Sequence, residues 1–151
     1  MILSLCFLAV ISYLPDPTLT PGDANPKLTD AVLRAPGFHT GPYRHVPLGE
    51  KRAVFKAYGI PWSTHAKYEV DHFWSLEVGG SNDIKNLWPE PYHLNVQGKD
   101  LGARTKDKIE DKLGALVRSG KMTGADARLL IAHDWTIAYI KFCGPLPDFH
   151  S

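Results

Sequence analysis

Cysteine is scarce, with only Cys6 and Cys143 among 151 residues. No CxxC pair occurs, which excludes a cysteine-built zinc site, and two distant thiols exclude a disulfide framework. A surplus of charge is also missing: 17 basic and 16 acidic side chains leave a formal net charge of +1. Any surface for a polyanion must therefore be local. No apolar run reaches membrane-spanning length. The longest, MILSLCFLAVISYL at the start, holds about a dozen apolar residues and is too short to cross a bilayer comfortably. Internal repeats are absent. A 44% hydrophobic and 22% charged composition excludes wholesale disorder, and the length suits one domain with a single core.

Four segments follow from composition. Residues 1–12 resemble the apolar region of a secretory signal, with Val10 and Ser12 placed for cleavage before Tyr13. They lack a basic leading region and are short for a signal. Export to the periplasm or the medium is the expected localisation, with the cytoplasm as the alternative. Residues 13–47 are rich in proline and glycine and predict an extended, poorly packed lead-in. Residues 48–145 carry the periodic elements, and 146–151 form a tail. Within 48–145 the pattern predicts a short helix over 48–58 and a strand over 67–74. A glycine turn at Gly79-Gly80 leads to a second strand over 84–88, stopped by Pro89 and Pro91. A helix over 101–117 follows, capped by Asp100, with Ile109, Leu113, Leu116 and Val117 as its apolar stripe. A last helix begins at Thr123, with Asp126 completing a capping-box variant, and ends at Gly144-Pro145. The central order is strand, turn, strand, helix: an α+β fold.

The chemistry gathers in 70-VDHFWSLEVGGSNDIKNLWPEP-91. Hydrolysis of a phosphodiester needs a base for water, and histidine titrates near working pH. It also needs a cation to absorb charge on the phosphate, and carboxylate or amide oxygens hold Mg²⁺-like ions. His72 supplies the base and Asp71 the ligand, one residue apart. Neighbours in a strand point to opposite faces, so the two share a site only where the strand ends or bulges. Asn86 follows His72 by fourteen positions and suits a residue that holds the imidazole or braces the loop.

The pattern Asp71-His72, Gly79-Gly80, Asn86-Leu87 resembles the HNH endonucleases of the ββα-metal class. The wider string, with NLWPEP and GARTKD, is similar to a bacterial and phage-borne subgroup whose members often carry an export signal. The resemblance covers most of the chain after residue 14. It implies a ββα-metal core, one Mg²⁺ or Mn²⁺ ion, and hydrolysis of DNA, with RNA as the alternative substrate. Asp71 would ligate the metal, His72 would act as general base, and Asn86 would orient the base or brace the hairpin. The third ligand falls by count on Asn95, nine positions after Asn86. If GARTKDKIED is the family helix, Gly102 stands where relatives have Asn, and Asp107 with Glu110 are the remaining oxygen donors; His93 is a further option. Relatives also carry two cysteines that this chain lacks near positions 35 and 118, which implies a looser N-terminal segment.

Plainer roles stand beside each reading. Arg44 and Lys106 suit either phosphate contact or solvated surface, and Trp74, Trp88 and Trp135 either base stacking or core packing. Glu69 and Glu77 flank the motif, with Glu69 the candidate supporting residue. A degenerate, non-catalytic module of the same fold, binding nucleic acid or protein, is the alternative function, and a purely structural domain with Asp71 salt-bridged in its core is a third reading.

Overall fold

The computed structural model describes residues 12–150. The signal-like segment lies outside them except for Ser12. In chain order the elements are α1 (Asp30–Leu33), α2 (Leu48–Ala57), β1 (Tyr68–His72), β2 (Leu87–Pro91), β3 (Asn95–Val96), β4 (Lys99–Asp100), α3 (Ala103–Arg118) and α4 (Gly124–Cys143), with short 3₁₀ turns between them. This is a small α+β domain with two antiparallel two-stranded sheets, β1–β2 and β3–β4. No helix among the described residues is long and apolar enough to cross a membrane.

The β1–β2 hairpin is shifted from the sequence expectation. The second strand runs Leu87–Pro91 and includes both prolines expected to end it. The register pairs Tyr68 with Pro91, Val70 with Pro89 and His72 with Leu87. Tyr92 N donates to Lys67 O and Phe73 N to Asn86 O, so the hydrogen-bonded positions of β2 are the even ones. Pro89 and Pro91 occupy the outward-facing positions, where a missing N–H costs no ladder bond. Tyr68, Val70 and His72 share one face with these prolines. Glu69, Asp71, Trp88 and Glu90 share the other.

The loop joining the strands depends on its two glycines. Gly79 sits at φ 88°, in the left-handed region. A Cβ on Gly80 would overlap the Trp74 carbonyl oxygen and meet Asn86 Nδ2 at 3.0 Å. Gly80→Ala is therefore expected to lower stability by about 3 kcal/mol or more, because backbone rather than a flexible side chain must yield. An unchanged thermal midpoint would refute this close approach.

Helix α3 begins at Ala103 with Gly102 as its N-cap, two residues later than expected. Asp100 caps nothing in the helix proper; its carboxylate accepts from Leu94 N and Gly102 N and so pins the entry. A Cβ on Gly102 would overlap Tyr92 O, so glycine is required here by packing. Ile109, Leu113 and Val117 are buried against α4, whose Ala127, Ile131, Trp135 and Ala138 face them as the periodicity predicts. The Thr123 hydroxyl caps α4 by accepting from Asp126 N. The helix breaks at Asp134, which has extended backbone angles and re-caps the second half through Thr136 N. Sequence periodicity carries no sign of that break.

The lead-in is not loosely packed. Leu28 and Leu33 are buried in the main core. Gly22 N donates to Lys85 O, Asn25 N to Gly79 O, and Ser81 N to Asp23 O, so the segment straps the β1–β2 loop. A Cβ on Gly22 would strike the Trp74 ring, which shows how closely the strap lies. Backbone hydrogen bonds do the work that the absent disulfide was expected to do.

Candidate active site

His72 ends β1, and its imidazole is 2% exposed. Its Nε2 lies 2.9 Å from Asn82 Oδ1. Asn82 Nδ2 in turn donates to Tyr43 O at 2.6 Å, which fixes the amide with its oxygen toward the ring. An amide oxygen only accepts, so His72 Nε2 carries the proton and Nδ1 keeps its lone pair. Nδ1 is buried and has no hydrogen-bond partner among the described residues. Burial, the largest influence, pushes the imidazole below its ordinary pKa, against opposing pulls from Asn82 and Asp71. The ring is thus a neutral base with a defined tautomer.

Asn86 does not touch that ring. It is fully buried, with Oδ1 accepting from Trp74 N at 2.9 Å and Nδ2 donating to Trp74 O at 3.0 Å and Ser81 O at 2.8 Å. It braces the loop that carries Asn82. Asn82 was missed in the sequence because an Asn after Gly-Gly-Ser reads as an ordinary turn residue.

Asp71 points to the opposite face, toward α3. There Lys106, only 1% exposed, donates to Asp71 Oδ2 at 2.7 Å, Glu110 Oε1 at 2.5 Å and His72 O at 3.1 Å. Glu90 Oε2 lies 3.4 Å from the same ammonium. Lys106 is therefore neither solvated nor free for phosphate. It is the internal cation of a buried acidic nest. Despite burial, the Lys106 charge holds the Asp71 carboxyl well below the usual range. Burial raises Glu90 well above its ordinary value, which favours its protonated form, and neither of its carboxyl oxygens has a hydrogen-bond partner among the described residues. Burial also pushes Glu110 up, to about 8. One ammonium balanced chiefly by one carboxylate is the arrangement a dry site tolerates. A signal was present in the sequence: Lys106, Glu110, Leu113 and Val117 lie on one helical face, so Lys106 heads the buried stripe.

The other named residues separate by location. Asp107 is half-buried on α3, and its pKa is raised by burial and by the charge of Asp71. Glu69 is also half-buried and raised by burial, by Asp71 and by Asp107. Neither makes an ion pair among the described residues. Asn95 lies in the β3–β4 hairpin, where its side chain accepts from Gly98 N at 2.9 Å. His93 pairs with Asp100, and Glu77 with Arg118. Trp88 and Trp135 are buried, and Arg128 lies over Trp74, so packing is their observed role. Arg44 is exposed and borders the cleft that His72 also lines.

No set of three or more His, Cys, Asp or Glu side chains among the described residues is arranged to hold a metal ion. Mg²⁺ does not require one, since it commonly keeps several waters and uses one or two carboxylates with substrate phosphates. Burial, and after it the charge of Asp71, raises both Glu69 and Asp107, while Asp71 itself is paired with Lys106. No family model, no curated protein and no solved structure matches the chain.

Proposed function

We propose that the protein is a nuclease that hydrolyses phosphodiester bonds of DNA, with His72 as general base, on an HNH-like ββα-metal core formed by β1, β2 and α3. The observation that carries this reading is the Tyr43–Asn82–His72 chain. It places the proton on Nε2 and leaves Nδ1 unpaired and buried, in a residue that borders a cleft also lined by Arg44 and Lys51. A neutral imidazole with an oriented lone pair takes a proton from water, and nearby cations favour an anionic backbone. Asp107 and Glu69, half-buried and without ion pairs among the described residues, are the residues that would hold a divalent ion, Mg²⁺ or Mn²⁺; Asp71 could join them only by leaving Lys106. Such an ion supplies charge stabilisation at the phosphate. Asn82 orients the base, and Asn86 keeps the Asn82 loop in place.

The test is cutting of plasmid and single-stranded DNA by the full chain with Mg²⁺, Mn²⁺ or EDTA. Cutting that requires the metal and is lost in His72→Ala supports the reading; no cutting by folded protein with either metal removes it. Asp107→Asn is expected to raise the Mg²⁺ concentration for half-maximal cutting about tenfold or more. Asn95→Ala is expected to leave it unchanged, because that side chain serves its own hairpin turn. The reverse pattern would return the third ligand to Asn95.

A second reading, a non-catalytic module of the same fold, is favoured by one observation: Lys106 already supplies a cation to Asp71. Binding of DNA without cutting in any metal would select it.

A further inference from the structure

The cleft beside His72 has a volume of about 650 Å³ and is formed by α2, the 3₁₀ turn Trp62–Lys67 and the Tyr68–Val70–His72 face of β1. This is the size of a pocket for a small-molecule-sized group. Its chemistry is divided. Arg44 is exposed and Lys51 half-buried, and neither makes an ion pair among the described residues. Tyr68, Tyr92 and His65 contribute ring surface. Glu69 is the single carboxylate of the lining.

His65 is built as a plate. Its ring stacks on Trp62 with centroids 4.6 Å apart and 3° between planes. Its Nδ1 sits 2.8 Å from Trp62 O, which fixes the ring against rotation. Behind it, Phe55 meets Trp62 edge-on at 5.0 Å. The imidazole is nonetheless exposed at the cleft. A ring already held in place at a cleft loses little further freedom when a base stacks on it.

We infer that this cleft takes one nucleotide of an unpaired DNA strand, its base laid on His65 and its phosphate between Arg44 and Lys51. The strand then passes His72. A duplex reader inserts a protruding helix or ribbon into a groove. Here the cations and rings line a concavity, which suits bases turned out of a stack, the combination that single-strand binders use. The inference rests on the reading of this cleft as a nucleic-acid site and adds the strandedness of the substrate.

The experiment is fluorescence anisotropy in EDTA with a labelled DNA single strand and with the same strand annealed to its complement. Full-length protein is compared with His65→Ala, His65→Phe and the double variant Arg44→Ala/Lys51→Ala. The single strand is expected to bind about tenfold or more tighter than the duplex. His65→Ala is expected to weaken single-strand binding about tenfold, and His65→Phe to restore it, because stacking needs only a ring. The double variant is expected to lower the salt slope by about 0.7, one phosphate contact's worth for a single strand. Duplex binding as tight as single-strand binding, or a His65→Ala protein that binds normally, overturns the inference. Cutting of duplex DNA that needs His72 but ignores His65, Arg44 and Lys51 would overturn the cleft and keep the nuclease. The expected binding without any cutting would do the reverse.

Discussion

Replacing Lys106 by Met is expected to lower stability at neutral pH by about 3–5 kcal/mol, the cost of stranding a buried charge. In a chain of this length that is a fall in thermal midpoint of about 10 °C or more. The ammonium is 1% exposed and touches Asp71, Glu110 and a backbone carbonyl. Met keeps the length of the side chain, so the loss is of charge and hydrogen bonds rather than volume. The pH dependence separates this from a packing defect. In the native chain Asp71 has a depressed pKa, so its favourable contribution is present above the ordinary carboxylate range and is lost as pH falls through its folded value. Without Lys106, burial outweighs the remaining influences on Asp71 and its pKa moves upward. Its contribution then becomes unfavourable above the ordinary value and vanishes below it. The gap between native and variant urea midpoints should therefore be widest near neutrality and narrow below about pH 4. The double variant Lys106→Met/Asp71→Asn should be more stable than Lys106→Met alone, since no ionised group is left unpaired. A gap that stays constant with pH would mean the nest is held by packing.

The second large effect is catalytic. His72→Ala is expected to reduce DNA cutting by about 10²–10⁴-fold, the range for loss of a positioned general base. Asn82→Ala is expected to reduce it by about 10–100-fold through loss of the tautomer lock. The pH profile tells the two apart. In the proposed reaction cutting requires the neutral imidazole, and burial lowers its pKa from the ordinary histidine value. Activity should hold as pH falls through about 6.5 and decline only at lower pH. The Asn82 hydrogen bond raises the His72 pKa, so removing it should move the acid limb further toward low pH. A residue that merely supports the loop would lower the rate without moving that limb. An Asn82→Ala profile superimposable on the native one would assign Asn82 to structure alone.

Much of the framework was legible because periodicity and turn chemistry are local. The stripe Ile109, Leu113, Val117 placed α3, Thr123 with Asp126 placed the start of α4, and Gly79-Gly80 placed the β1–β2 loop. Pro89 and Pro91 misled because a proline's effect in a strand depends on which way its nitrogen faces, and only pairing decides that. The lead-in misled for a related reason. Proline and glycine richness shows that a segment forms no regular element, but it does not show whether Gly79, Ser81 and Lys85 offer it hydrogen-bond partners.

The site divides along the same line. From the sequence alone came the candidate base His72, the ligand candidate Asp71, and the expectation that their strand would have to end there to unite them. Strand β1 does end at His72, yet the two side chains keep to opposite faces, as the two-residue repeat of a strand requires. Only the tertiary structure could name Asn82 as the residue on the imidazole, Asn86 as the brace, and Lys106 as the cation inside the acidic nest. Each of those roles is set by which element arrives opposite. Residues 35 positions apart, such as Asp71 and Lys106, meet through the packing of a helix on a hairpin, and no local pattern carries that information.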